Sequence, residues 1–181
     1  MKFDIKFRAF RLGDEKFINL LREDEEMESK IGGVKRFVSL DRERSWINDL
    51  IMKDNNSIMY FAITMKNSDE MIGYVSISDI NYRIGTCFWS GIKLSPTAGD
   101  GYGAQTTLLL LKYIFEELRM VRCTGVCQEE NIQSLNLLTK IGFQKEGLMR
   151  KHIFKNGKYL NQWLLSFIDE DYVKLKMKYD L

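Results

Sequence analysis

The sequence predicts a mixed α/β (α+β) fold in which a mostly antiparallel sheet is flanked by helices. Three observations support this prediction. Apolar residues alternate with polar ones in several short segments, which is typical of half-buried strands. Other segments place apolar residues at a helical spacing. A glycine-rich junction at Gly99–Gly103 connects a strand to a helix, as in layered α/β architectures. The expected element order is β-α-α-β-β-β-α-β-α-β-β.

The N-terminal third is expected to form one strand and two helices. The strand is predicted by alternating apolar residues, Phe3, Ile5 and Phe7. A first helix lies within the segment 11–26, with Asp14 as its expected N-cap. The segment 29–35, which contains two adjacent glycines, is expected to be a loop. A second helix is predicted over Leu40–Met52, since its apolar residues fall on one face.

A meander of three strands is predicted next, over the segments 57–65, 71–80 and 86–94. The polar segment 66–70 suits the first hairpin loop. Beyond the glycine junction, helical spacing returns over Ala104–Leu118, and 121–127 predicts a short strand.

The C-terminal part is expected to contain one helix and one hairpin. The helix begins at Asn131 and ends at Ile141, with Gly142 as its stop signal. Two further strands, 143–154 and 158–168, flank Asn156-Gly157, which is a strong two-residue hairpin signal.

Composition narrows the range of functions. A length of 181 residues suits one domain, so a single domain over 1–181 is expected. Lys and Arg total 27 against 25 Asp and Glu, and a net charge of +2 does not favour nucleic acid or a membrane surface as partner. No apolar run approaches the roughly 20 residues of a membrane span. A cytoplasmic protein is expected. Its cysteines, Cys87, Cys123 and Cys127, are interpreted as buried thiols, since with one histidine they lack the spacing of a zinc site.

The glycine junction is a candidate anion site. Gly99, Gly101 and Gly103 free the backbone to curl, and the following helix offers unpaired N–H groups and a positive dipole end. Such a loop suits a phosphate or pyrophosphate. It is neither a P-loop nor a full dinucleotide fingerprint. Taken alone, the glycines are explained equally well by a tight turn before a helix.

A second motif, about 30 residues downstream, gives the loop a context. It combines Glu130-Asn131-x-x-Ser134 with Lys140-x-Gly142-Phe143-x-x-Glu146-Gly147. Together with the glycine loop and the Asn-Gly hairpin, it resembles the GNAT acetyltransferase superfamily over roughly residues 3–170. The similarity is closer to the branch of ribosomal-protein N-terminal, spermidine and amino-sugar acetyltransferases.

The resemblance implies an enzyme, an N-acetyltransferase with acetyl-CoA as cosubstrate and no metal. Its acceptor would be the primary amine of a small molecule, such as an amino sugar or a polyamine, or a protein N-terminus. The amine would attack the thioester directly, without a covalent enzyme intermediate. Homodimers are common among such proteins and are an expectation here.

The resemblance also implies where the cosubstrate binds. The pantetheine arm pairs with the end of the preceding strand at Ile92, Lys93 and Leu94, where a backbone N–H can polarise the thioester carbonyl. Asn131 lies near the thiol end of the cosubstrate. The pyrophosphate lies on backbone N–H groups of the loop, those of Gly99, Asp100, Gly101, Tyr102, Gly103 and Ala104.

This chain departs from the family pattern at several positions. Ala98 replaces the usual Arg or Gln before the first loop glycine, and Asp100 replaces the usual basic residue. A carboxylate beside a pyrophosphate is unfavourable unless it points into solvent. The tyrosine that reprotonates the CoA thiolate in many relatives falls at Leu138. Branches without that tyrosine have been assigned a serine at the position of Ser134, which makes Ser134 the candidate acid.

The general base is less defined. An alkylamine is mostly protonated at pH 7 and must lose a proton before it attacks. No acidic residue occurs in 80–99, where relatives place a glutamate. Asp79 is the candidate base, although a strand-end turn residue explains it as well. Glu25 and Glu26 could attract a cationic amine, or could form a solvated helix end. His152, the only histidine, is expected to be a surface or packing residue.

These departures also suit a rival hypothesis from another class. A CoA-binding module that has lost catalysis and acts as a regulator would carry the same loop. Turnover with an amine distinguishes the enzyme from such a module.

Overall fold

Seven strands form one sheet, and the computed structural model describes residues 2–31, 35–53 and 55–181. The strands, in chain order, are β1 (Ile5–Arg8), β2 (Met59–Met65), β3 (Met71–Asn81), β4 (Thr86–Leu94), β5 (Arg122–Gln128), β6 (Gln144–Lys155) and β7 (Lys158–Ile168). Their spatial order is β1-β2-β3-β4-β5-β7-β6. Every neighbouring pair is antiparallel except β4–β5. The predicted mixed, mostly antiparallel sheet is therefore confirmed.

Helices cover both faces of this sheet. Those among the described residues are α1 (Asp14–Glu23), α2 (Glu25–Lys30), α3 (Leu40–Met52), α4 (Tyr102–Lys112), α5 (Ile132–Ile141) and α6 (Asp169–Tyr179). Successive strand residues point to opposite faces. Accordingly, Ala62 packs with Ile18 of α1 and Ile47 of α3, whereas Ile63 packs with Leu110 of α4. None of the helices described is long and apolar enough to cross a bilayer.

Helix α4 packs against both halves of the sheet, on the face of the sheet that it covers. Leu110 contributes to the core over the first strands, while Leu108 and Leu111 pack with α5, α6 and the last strands. The helix starts at the glycine loop that follows β4. Its first turn is therefore fixed where the two halves of the sheet meet.

The sheet opens between β4 and β5. The two strands pair in parallel from Thr86 with Arg122 to Trp89 with Gly125, and the register ends there. Immediately afterwards β4 bulges against β3: the step from Val75 to Ile77 is matched by a longer step on β4, from Trp89 to Ile92. Beyond the bulge β4 continues with β3, and β5 continues with β7. A wedge-shaped split results.

Several helix boundaries differ from the sequence-based expectation. The single helix expected within 11–26 is broken at Asp24, whose backbone is extended and whose side chain caps α2 by accepting from the N–H of Met27 at 3.0 Å. Asp14 is not the N-cap of α1. That position is held by Gly13, and the Asp14 carboxylate accepts from the Arg8 guanidinium instead.

Other boundaries need smaller corrections. Ser29 and Lys30, expected in a loop, are helical, and Gly32 and Gly33 of that segment lie outside the described residues. The helix after the glycine loop changes to a π-helical turn at Tyr113–Glu117. The Asn156-Gly157 hairpin and the stop at Gly142 are confirmed, with positive φ at all three residues.

Helix α6 was not predicted, and Glu116 fixes it to the end of the α4 segment. The Glu116 carboxylate accepts hydrogen bonds from Lys176 at 2.6 Å and from the Tyr172 hydroxyl at 2.9 Å, and lies 2.9 Å from the Lys112 ammonium. Hydrogen bonds from the Lys176 and Lys112 ammonium groups, above all, lower the pKa of Glu116 to about 2.

We predict that Glu116→Gln lowers the Tm of the protein near neutral pH. Because the pKa of Glu116 falls from an ordinary 4.5 to about 2 on folding, its charge stabilises the fold above pH 4.5. That contribution is lost as the pH falls towards 2. Thermal melts from pH 7 to pH 2.5 should show the Tm difference from wild type shrinking below pH 4.5. The exposed neighbour Glu117 provides the control, Glu117→Gln, which should change the Tm little.

Candidate active site

The loop between β4 and α4 has the backbone of an anion site. The Ser95 N–H anchors it to the Ile72 carbonyl at 2.8 Å, and Pro96–Ala98 form one 3₁₀ turn. Gly99 and Gly101 then adopt φ values of 88° and 87°, which favour glycine. The N–H groups at the start of α4 have no acceptor within the helix. They follow directly on the loop that leaves the end of β4.

The glycines of this loop have different roles. A Cβ on Gly101 would meet nothing within 4 Å, so the loop backbone there is open to a ligand. A Cβ on Gly103 would make only ordinary contacts, 3.6 Å from the Leu137 side chain and 3.9 Å from that of Leu94, so Gly103 lies between the start of α5 and the end of β4. An open backbone at a helix N-terminus fits a pyrophosphate. Asp100 is exposed, whereas Ala98 is half-buried against the core.

The end of β4 offers a second binding element. Past Trp89 the edge of β4 that faces β5 has no register with it, while Val75 and Gly73 still pair with Ile92 and Leu94 on the other edge. A free strand edge pairs readily with an extended ligand. The residues expected to bind the pantetheine arm, Ile92, Lys93 and Leu94, therefore lie on the open side of the split.

Asn131 and Ser134 lie across the split, at the end of β5. The Asn131 N–H donates to the Gln128 carbonyl at 3.0 Å, and its side chain accepts from the Ser134 N–H at 3.2 Å. Asn131 is thus the N-cap of α5, a position that asparagine favours. Ser134 is half-buried, one turn before Leu137, which touches α4 near Gly103. The fold therefore places Ser134 in the first turn of α5, and the start of α5 lies next to the glycine loop at the start of α4.

The structure does not bring Asp79 to this group. It lies inside β3, exposed, with a φ of 50° beside Ser78. Ser78 pairs with Phe88, which is in the part of β4 still paired with β5. The split starts beyond Trp89, and Ile92 is about 13 Å further along β4 at 3.3 Å per residue. The fold separates Asp79 from Ser134.

The thiols are not poised for chemistry. Cys87, Cys123 and Cys127 are free and buried, as expected. Burial raises the pKa of Cys127 to about 11, so its thiol is neutral at pH 7.

Two other sequence expectations concern a tyrosine and a metal. Leu138, at the position where the resemblance implies a tyrosine in many relatives, is buried in the core. Among the described residues, no group of three or more potential ligands is placed to hold a metal ion.

Helix α2 bridges the two sides of the split, which sequence patterns did not reveal. The Lys93 ammonium of β4 donates to the Glu28 carboxylate at 2.8 Å. The Gln128 side chain of β5 donates to the Ser29 carbonyl at 3.1 Å. Between α2 and the β6–β7 turn lies a cavity of about 160 Å³, lined by Glu25, Glu28, Ser29, Lys35, Lys155 and Asn156.

A hydrogen-bonded network connects the loop after β5 to the β6–β7 hairpin. Asn161 of β7 accepts from the Lys151 N–H at 2.9 Å and donates to Glu129 at 2.8 Å. His152 is exposed, and its Nδ1 lies 2.7 Å from the side-chain oxygen of buried Gln162. These contacts hold the loop after β5 against the last hairpin. His152 thus contacts β7, and it is not among the residues at the starts of α4 and α5.

Comparisons with known proteins identify the family and the fold that this chain matches. Residues 4–144 match the acetyltransferase (GNAT) domain family. The SPbeta prophage-derived uncharacterized N-acetyltransferase YokL of Bacillus subtilis is 27% identical over 121 residues, which are 67% of this chain and 66% of that protein. Spermidine N(1)-acetyltransferase of Escherichia coli K12 is 24% identical over 104 residues, or 58% of this chain and 56% of the relative. The alignments thus cover only part of each relative.

Solved structures show the same fold. Spermidine N-acetyltransferase from Vibrio cholerae, crystallised with CoA and spermine, superimposes with a TM-score of 0.84. The match covers 94% of this chain and 98% of that chain, at 23% sequence identity.

We predict that Gly101→Glu abolishes the rise in Tm that acetyl-CoA causes. The substitution strains a backbone with a φ of 87° and places a carboxylate at the anion-binding N–H groups. Gly13→Glu is the matched control, because Gly13 is also a helix N-cap with a positive φ and no atom near its missing Cβ. Both variants should melt earlier without ligand, but Gly13→Glu should keep the acetyl-CoA shift. Equal ligand shifts in the two variants would contradict the loop assignment.

Proposed function

Because residues 4–144 match its domain, the chain belongs to the GNAT acetyltransferase family, and we propose that it is an acetyl-CoA-dependent N-acetyltransferase. The observation that carries this proposal is the split between β4 and β5, with a glycine loop at one end and the start of α5 beside it. The CoA-bound relative with the same fold supports it.

The proposed binding mode uses backbone groups throughout. The N–H groups from Gly99 to Ala104 hold the pyrophosphate at the start of α4. The open edge of β4 over Ile92–Leu94 pairs with the pantetheine arm, and one of its N–H groups polarises the thioester carbonyl. This mode does not require the missing Arg or Gln at Ala98. Asp100, being exposed, can point its carboxylate into solvent.

The proposed reaction is a direct transfer. The neutral amine nitrogen forms a bond to the acetyl carbon, and the bond from that carbon to the CoA sulfur breaks. The Ser134 hydroxyl gives its proton to the leaving sulfur, and its oxygen takes back, through water, the proton that the new amide nitrogen releases. Asn131 holds the helix turn that presents Ser134. The ammonium form of the acceptor loses its proton to water in the split. We assign that step to water because Asp79 lies in β3, beside the part of β4 that is paired with β5 and not beside its open end.

The proposed acceptor is the primary amine of a small molecule. The cavity between α2 and the β6–β7 turn has a volume of about 160 Å³, which suits an alkyl chain or part of a sugar. Because one solved relative was crystallised with spermine and another relative is named for spermidine, polyamines form one arm of the acceptor panel, beside alkylamines with a single amino group. Amino sugars and peptide N-termini complete the panel.

Release of free thiol from acetyl-CoA tests the proposal. We expect thiol release with at least one amine of the panel and a higher Tm with acetyl-CoA. A higher Tm without thiol release from any amine would contradict the enzyme and support a CoA-binding regulatory module.

We predict that Ser134→Ala lowers kcat by roughly 100-fold, the order expected for a general acid, while the Kd for acetyl-CoA is unchanged. The reason is that the leaving thiolate loses its proton donor but no binding contact of the cosubstrate is removed. Steady-state kinetics and a ligand titration measure the two quantities. Gln133→Ala, at an exposed site on the same helix turn, is the control and should keep wild-type turnover. Wild-type kcat in Ser134→Ala would remove Ser134 from the mechanism.

A further inference from the structure

Lys93 and Glu28 form a buried ion pair beside the split. The Lys93 ammonium donates to Glu28 Oε1 at 2.8 Å, and the two side chains are only 14% and 10% exposed. Lys93 belongs to the end of β4 and Glu28 to α2. The pair therefore links the strand proposed to bind the thioester arm to the helix that covers the acceptor cavity.

The other two carboxylates of α2 belong to ion pairs that are exposed to solvent. Glu25 lies 3.0 Å from Lys35 and Glu26 lies 2.7 Å from Lys30, but their side chains are 84% and 81% exposed. Solvent screens such exposed pairs, which exchange easily with other cations. Glu28 is the carboxylate of this helix whose field towards an incoming ammonium would be strong, since burial limits screening. That field is already compensated by Lys93.

The surroundings of Lys93 resemble a cation-binding position. Its ammonium lies 5.9 Å from the centroid of the Tyr74 ring, while its other side faces Glu28. A carboxylate and an aromatic face are groups that hold ammonium ions. Glu28 also lines the cavity of about 160 Å³ in which the acceptor is proposed to bind. The chain thus fills, with its own lysine, a position that a second amino group of the acceptor could occupy.

We propose that Lys93 is a specificity-determining residue that makes the enzyme prefer acceptors with one amino group over diamines and polyamines. This inference rests on the proposed function and restricts its substrate class. A second ammonium near Glu28 would meet the Lys93 charge and find the carboxylate taken. A monoamine needs no partner there. The preference would separate this chain from the spermidine enzymes that share its fold.

Butylamine and 1,4-diaminobutane provide the matched test, because they differ only in the second amino group. Thiol release at saturating acetyl-CoA gives kcat/KM for each amine. In wild type we expect butylamine to be favoured. Lys93→Met removes the ammonium that is hydrogen-bonded to Glu28 and leaves this buried carboxylate without its ion-pair partner, a costly state that an ammonium of the diamine relieves. The ratio of diamine to monoamine kcat/KM should rise at least about tenfold, mainly through a lower KM for the diamine.

Two further variants separate charge from structure. Lys93→Arg keeps the cation and should keep the wild-type ratio. Glu28→Gln combined with Lys93→Met removes both charges and should cancel the gain. The Tm of every variant is measured, so that loss of folding is recognised directly.

The outcomes distinguish the inference from the proposed function. A Lys93→Met enzyme whose ratio is unchanged, or a gain that persists when Glu28 is also replaced, would overturn the role of Lys93. A wild type that already favours the diamine would overturn it as well. No thiol release from any variant with any amine would instead contradict the proposed function.

Discussion

The early end of the parallel pairing between β4 and β5 is the constraint on which the site depends. The strands stay together only as far as Trp89 and Gly125. The extra residue in β4, accommodated by Gly91 with a φ of 102°, then turns β4 away while it stays paired with β3. A sheet that stayed paired would have no free edge for a ligand.

Three helices take their positions from this split. Helix α4 starts beyond the end of β4, and α5 starts beyond the end of β5, so two helix N-termini converge on the same opening. Helix α2 crosses above it and contacts both strands, through Lys93 and Gln128. The positive ends of two helix dipoles suit an anion, and α2 carries Glu28, which pairs with Lys93 beside the split. In the proposed function, the binding of both substrates thus depends on one feature of the backbone.

Local signals predicted most of the framework. Alternation located β4 with its observed ends, Asn131 and Gly142 marked the ends of α5, and Asn156-Gly157 marked the last turn. The helix break at Asp24 was missed although it has a local signal, since aspartate is a favoured N-cap residue and its side chain caps α2. Helix α6 was missed although acidic residues at its start and lysines at its end fit the dipole. The contact between Glu28 and Lys93 joins residues 65 apart and has no local signature.

Hydrogen–deuterium exchange with and without acetyl-CoA tests the central claim most directly, that the split and its glycine loop are the cosubstrate site. The account predicts slower exchange at the amides of the 99–104 loop and of the β4 end at 92–94, with no change at the N-terminus of α1. Protection confined to other segments, with unchanged exchange in the loop and at the end of β4, would contradict it.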